Sequence, residues 1–178
     1  MTRPLRLVAS AGISIPETVS EPQSFEDFFE AESPALFRRL CLITGNSHEA
    51  EEVMQDAFLS LFERWDRVGA MEDPIGYLYR TAFNTFRRRS RRAALAFRRT
   101  LGLTPARDEF EAADDRQVVS QALAKLSRRQ RTALVLTELI GYGSEDAGRM
   151  MGVRAGTVRA LATQGRAAMR GMLEQDHD

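Results

Sequence analysis

Residues 144–173 read SEDAGRMMGVRAGTVRALATQGRAAMRGML, and the glycines at 148 and 152 divide the stretch into a short helix, a turn and a longer helix. Ser144 can cap the short helix, which EDAGRMM carries. Gly152 has no Cβ and can take the left-handed conformation of a tight turn, while a small residue at 148 lets two helices cross closely. A last helix opens near Gly156 and lines up Val158, Leu161, Ala162, Met169, Met172 and Leu173. Arg154, Arg159, Thr163, Gln164, Arg166 and Arg170 then fall on its outer side, suited to phosphates and base edges in a major groove. These are helix-turn-helix proportions. A solvated hairpin rich in arginine would read the same way, so the rest of the chain has to decide.

Upstream, Val118, Val119, Ala122, Leu123 and Leu126 form a helical stripe. Ser127 to Gln130 is a capping box that opens a helix running to about Ile140, before Gly141. Nearer the N-terminus, Ser24 can cap a short helix bearing Phe25, Phe28 and Phe29, and Ser33-Pro34 opens a second one, ALFRRLCLIT, stopped by Gly45. Ser47 caps the next helix, whose apolar side runs from Ala50 through Val53, Met54, Ala57, Phe58, Leu61 and Phe62 to Trp65. Its other side carries Glu51, Glu52, Gln55, Asp56 and Glu63, with Leu59 among them. A loop, DRVGAMED, leads to Asp73-Pro74 and a helix striped by Ile75, Leu78, Tyr79, Ala82, Phe83 and Phe86 that ends in RRRSRR.

Beyond Ala93 the periodicity fades, and Gly102 and Pro105 interrupt what remains. No segment alternates as a strand would, so the expected fold is all-α: two small helical domains joined by a flexible linker, the C-terminal one a helix-turn-helix. The boundaries that follow are a disordered arm over 1–23, a domain over 24–92, a linker over 93–117 and a domain over 118–175.

A chain of 178 residues with 43% hydrophobic and 28% charged residues has the balance of a soluble globular protein. Its longest apolar runs fall far short of the roughly 18 residues of a membrane span, and LVASAGISI near the N-terminus is too short and broken for a secretory signal. The expectation is a cytoplasmic protein with no membrane insertion. One cysteine, Cys41, and two histidines, His48 and His177, cannot build a disulfide or a zinc site, and no cofactor is implied. Cys41 reads as a small buried thiol and His48 as a solvated first-turn residue.

The net charge is zero, yet the charges are segregated. Residues 25–79 hold four arginines against twelve acids, whereas 80–107 hold nine arginines and no acid. Such a pairing suits one surface to a basic protein partner and another to a polyanion. The helix YLYRTAFNTFRRRSRR adds detail: Tyr77, Tyr79, Phe83, Phe86 and Asn84 are interleaved with Arg80, Arg87, Arg88, Arg89, Arg91 and Arg92. Aromatic faces stack on unpaired bases while guanidinium groups follow the backbone. Helical spacing assigns Tyr79, Phe83 and Phe86 to the core, leaving Tyr77 and Asn84 for contact.

AEEVMQDAFLSLFERW, then PIGYLYRTAFNTFRRRSRR, then ALAKLSRRQRTALVLTELIGYGSEDAGRMMGVRAGTVRA resemble, in order and spacing, successive segments of the extracytoplasmic-function sigma factors of bacterial RNA polymerase, group 4 of the sigma-70 family. The resemblance implies a first domain that binds the clamp of core RNA polymerase and opens promoter DNA at the −10 element. It implies a second domain that sits on the −35 element and the polymerase flap, and an anti-sigma factor as a further partner. Gln55 and Asp56, with Glu52 and Leu59 beside them, match the clamp-binding helix. The loop from Asp66 to Asp73 matches the one that receives an unstacked −10 base, with Asn84 lining the pocket, Arg80 before it, and Tyr77, Arg87, Arg88 and Arg91 along the strand. Arg154, Thr157, Arg159, Thr163, Gln164 and Arg166 would face the −35 element, Thr157 to Arg159 matching the opening of the recognition helix. Departures are Tyr77 for tryptophan, Arg154 for a capping serine, Gly148 for alanine, and Leu161, Thr163 and Gln164 where basic residues or histidine are frequent.

A different reading is a stand-alone helix-turn-helix transcriptional regulator whose first domain senses or dimerises. Such a regulator binds duplex by itself as a symmetric dimer on two half-sites, and this sequence has no heptad seam to build one. An enzyme is not implied, because the adjacent carboxylates Glu51 and Glu52, or Asp114 and Asp115, point apart on a helix and no nucleophile or phosphate loop accompanies them.

Overall fold

The structure is a computed structural model, and it describes residues 24–101 and 122–175. The expected arm, most of the expected linker and the stripe residues Val118 and Val119 lie outside the described residues. Every regular element among those described is helical.

The first helix, α1 (Phe25–Thr44), starts at Ser24, whose Oγ accepts the Asp27 N–H at 3.0 Å, and ends at Gly45, in the left-handed region at φ 73°. It is one helix where the sequence reading expects two, with Pro34 inside it. Proline in a helix interior costs about 3 kcal/mol or more. Phe28 before Pro34, and Leu36, Leu40 and Ile43 after it, are all within 1% of full burial on one shared face. Burying each such side chain contributes about 1.5–3 kcal/mol, which outweighs the break.

In α2 (Ser47–Phe62) the cap is Asn46, whose Oδ1 accepts the Glu49 N–H at 2.8 Å, and Ser47 is the first helical residue rather than the cap. A four-residue helix, α3 (Trp65–Val68), occupies part of what reads as loop, pinned by the fully buried Val68. Then α4 (Pro74–Leu101) begins as expected, with the Gly76 N–H donating to Asp73 Oδ1 at 2.7 Å, but it continues well past Arg92 into the expected linker. Ala93, Leu95 and Ala96 are exposed there. Over 93–96 the intrinsic helix propensity of alanine and leucine supports the helix more than burial does.

The second set opens on the expected capping box, Ser127 and Gln130 each bonding to the other's backbone N–H. It caps α5 (Arg128–Leu134), which widens into a π-helical turn over Val135–Leu139 and stops at Gly141, φ 89°. Next comes α6 (Ser144–Met151), capped by the extended Gly143 and not by Ser144, and then α7 (Ala155–Gln175).

Within the first unit α2 lies between α1 and α4, and in the second α7 packs across α5 and α6. Phe25, Phe28, Phe29, Phe58, Phe62 and Trp65 meet edge to face or tilted, with centroids 4.7–6.4 Å apart. The buried residues of both units join in one apolar cluster.

Candidate nucleic-acid and polymerase interface

On α2, the side facing away from the core presents Glu52, Gln55, Asp56 and Leu59, and Leu59 is 59% exposed. The two carboxylates are already engaged within the chain: Arg89, on α4, binds Asp56 at 2.9 Å and also binds Glu52. Desolvation alone would lower the Arg89 pKa, but its hydrogen bonds to Asp56 and Glu52, with their charges, outweigh that and raise it above its ordinary value. Gln55 donates to Glu51 at 3.1 Å. Sequence reasoning missed the Arg89 clasp, although a signal existed: Arg89 stands three residues past the buried Phe86, on the edge of the apolar stripe.

On α4, Tyr79, Phe83 and Phe86 are buried, as their spacing predicts, and Tyr77 is half-buried against the core. Asn84, Arg80, Arg88 and Arg91 are exposed, and Arg87 is half-buried. Arg87 reaches Asn84 Oδ1 at 3.5 Å, Arg88 reaches Thr85 at 3.5 Å, and Arg80 lies 4.0 Å from Asp73. The structure therefore brings Arg80 and the end of the Asp66–Asp73 segment together at the start of α4, with Asn84 one turn further on. Arg39, from α1, donates to the Tyr79 hydroxyl and lies over its ring at 5.2 Å from the centroid. That second contact also went unread in the sequence, because forty residues separate the partners.

In the second unit the turn between α6 and α7 closes as its glycines predict. Gly152 is left-handed at φ 68°, and the Val153 N–H donates to the Gly148 carbonyl at 2.9 Å. A Cβ on Gly148 would stand 2.8 Å from the Val153 carbonyl oxygen, so the glycine fits where alanine would crowd the backbone. Another close approach is at Gly165, where a Cβ would meet Leu134 at 2.8 Å. Arg154, Thr157, Arg159, Thr163, Gln164 and Arg166 are all exposed on α7 and the turn before it. Arg166 is tied to Glu138 at 2.6 Å and to Thr163 at 3.3 Å, and Arg159 is the first cation within α7, with Arg154 immediately before the helix.

Cys41 is half-buried rather than fully buried, and desolvation pushes its thiol pKa up, the direction opposite to that of a reactive cysteine. The His48 side chain is largely exposed, 3.9 Å from Glu52. Among the described residues no group of three or more histidine, cysteine or acidic side chains could hold a metal, and no helix is long and apolar enough to cross a membrane.

Comparison with known proteins places this arrangement. The family model for sigma-70 region 2 matches residues 28–95, and that for sigma-70 region 4 matches residues 116–169. The chain is 29% identical over 156 residues to the ECF RNA polymerase sigma factor SigM of Mycobacterium tuberculosis, covering 84% of this chain and 77% of that protein. It is 30% identical over 161 residues to the ECF RNA polymerase sigma factor SigE of Mycolicibacterium smegmatis, covering 84% of this chain and 62% of that one. In fold it is similar to the sigma factor RpoE solved in complex with the anti-sigma factor NepR from Bartonella quintana, with TM-score 0.62 and 21% identity over 84% of this chain and 96% of that one. CnrH, solved in complex with the cytosolic domain of CnrY, is similar at TM-score 0.52 and 20% identity, over 85% of this chain and 88% of that one.

Proposed function

Because the chain belongs to the sigma-70 family and, within it, to the extracytoplasmic-function sigma factors, we propose that α2 docks it on core RNA polymerase while α4 and α7 read the two elements of a promoter. Its function is that of a sigma factor, directing polymerase to promoters for initiation. The polymerase supplies the chemistry, and this chain works in the cytoplasm as a binding subunit without catalysis of its own.

The docking surface is Glu52, Gln55, Asp56 and Leu59 on the polymerase clamp. The −10 surface is Tyr77, Arg80, Asn84, Arg87, Arg88 and Arg91, with the Asp66–Asp73 segment receiving an unpaired base. The −35 surface is Arg154, Thr157, Arg159, Thr163, Gln164 and Arg166, in a second domain over 118–175 that also meets the flap. The single observation that carries this reading is the exposed Leu59 set among acids on α2, beside a helix whose exposed edge is cationic. An anti-sigma partner follows by analogy, since RpoE was solved in complex with the anti-sigma factor NepR.

Run-off transcription with purified core polymerase tests the proposal. Adding the full chain yields promoter-specific transcripts that core polymerase alone does not make. A template set spanning its own genome that gives no specific transcript overturns it.

A further inference from the structure

One side chain ties α4 to the acidic face of α2, and we propose that this side chain, Arg89, is a positioning residue that holds Glu52 and Asp56 in the arrangement core polymerase engages. The inference rests on the reading of α2 as the docking helix given above, and it names a residue outside that docking set.

Glu52 and Asp56 stand four residues apart on α2, so their side chains are neighbours on one face of the helix. Two carboxylates at that spacing repel, and left to themselves they swing apart among their rotamers. Arg89 opposes both tendencies. It projects from α4, on which α2 packs, three residues past the buried Phe86. Its Nη1 donates to Asp56 Oδ2 at 2.9 Å and its Nη2 donates to Glu52 Oε2. A planar guanidinium carries these donors in a rigid fork, so one side chain fixes two.

The fork still leaves the acids open to a partner. It engages one oxygen of each carboxylate, and the two side chains remain 40% and 50% exposed. A carboxylate has about four acceptor sites, so each can take a further donor without giving up Arg89. The three charges sum to one negative charge, which a basic partner surface still meets as acidic. Gln55, between them in sequence, is held from its own helix by Glu51 at 3.1 Å. Arg89 thus has a task different from that of Arg87, Arg88 and Arg91: its guanidinium is committed to α2.

Charge and geometry make opposite predictions for its removal. By charge alone, losing a cation makes the face more acidic and strengthens its attraction to a basic partner. By geometry, Glu52 and Asp56 must then be ordered during docking, and immobilising two such side chains costs about tenfold in affinity.

The test follows association and dissociation of the full chain on immobilised core polymerase, by interferometry, for the parent, Arg89→Gln and Arg89→Lys. Arg89→Gln dissociates about tenfold faster and associates no more slowly than the parent. Arg89→Lys keeps the charge and loses the fork, and it dissociates as fast as Arg89→Gln. Parent-like or slower dissociation of Arg89→Gln means that charge alone governs the face, and overturns the proposal. Slower association with unchanged dissociation reports a smaller folded fraction and overturns it in favour of a purely internal brace. Parent-like dissociation of Arg89→Lys shows that a charge suffices and overturns the fork. Glu52→Arg with Asp56→Arg separates the two levels of the argument. If that variant docks at the parent rates, the docking reading of α2 fails and the positioning role with it. If it does not dock while both Arg89 variants behave as the parent, the positioning role alone fails.

Discussion

The two units hold together by opposite means. The first is built on large rings, with Phe25, Phe28, Phe58 and Trp65 interlocked between α1, α2 and α3. The second has few rings and relies on missing side chains, with Gly148 against the Val153 carbonyl and Gly165 against Leu134. The difference teaches that the first unit draws mainly on buried apolar area, whereas the helix-turn-helix depends on how closely its backbones approach. Area tolerates adjustment; a close approach does not.

The sharpest way to break this contrast is to remove a ring. Phe28→Ala, at a position 1% exposed, should cost the first unit about 3–5 kcal/mol, read as a lowered denaturant midpoint. A loss below about 1 kcal/mol would mean that the ring cluster relaxes and is not the support described here. In the second unit the addition of one methyl should do the damage. Gly148→Ala gains about 1 kcal/mol in helix propensity, yet the crowding at Val153 should cost about 1–3 kcal/mol, so the variant should be no more stable than the parent and should bind −35 duplex less well. Clear stabilisation would show that the turn has room.

Arg159→Ala keeps the fold and tests reading instead. A bidentate guanine contact predicts a loss of about 1–3 kcal/mol on the cognate −35 sequence, with little loss on a scrambled one. An equal loss on both assigns Arg159 to phosphate. On α2, Glu52→Arg with Asp56→Arg should abolish co-purification with core polymerase, but it also sets three cations together. Adding Arg89→Glu restores the internal pair, so a loss that persists in this triple variant belongs to docking and not to folding. The smallest effect is at Cys41: with its pKa raised by burial, less thiolate is present at pH 8 than in a free cysteine, and alkylation should be slower than in the unfolded chain.

Local signals in the sequence sufficed for several features whose determinants are local. The Ser127 and Gln130 box, the left-handed Gly152, the Asp73 cap and the burial of Tyr79, Phe83 and Phe86 all depend on residues a few positions apart. Pro34 misled because its cost is local and its compensation is not: Phe28 before it and Leu36, Leu40 and Ile43 after it are all buried in the shared core. Ser47 and Ser144 misled because an adjacent residue, Asn46 or Gly143, had the extended backbone that a cap requires. The end of α4 was lost because the residues just past Arg92 are mostly exposed and leave no apolar periodicity to read. At the candidate site, the exposed positions of Leu59, Asn84 and Arg159 were legible, whereas Arg89 on its two carboxylates and Arg128 on Glu49 join residues 33–79 positions apart.

The π-helical turn at Val135–Leu139 sets the phase of everything after it. Each residue of an α-helix advances the side-chain direction by about 100°, and a π turn holds one residue more than the ladder needs. That extra residue lets Leu136 stay in the core while Glu138 swings out to Arg166 and Leu139 to the surface. Deleting a single residue there, such as Thr137, would let the helix resume its regular winding and turn Glu138 away from α7. The freed Arg166 would then join the exposed cations of the proposed −35 surface, and the variant should hold −35 duplex more tightly than the parent.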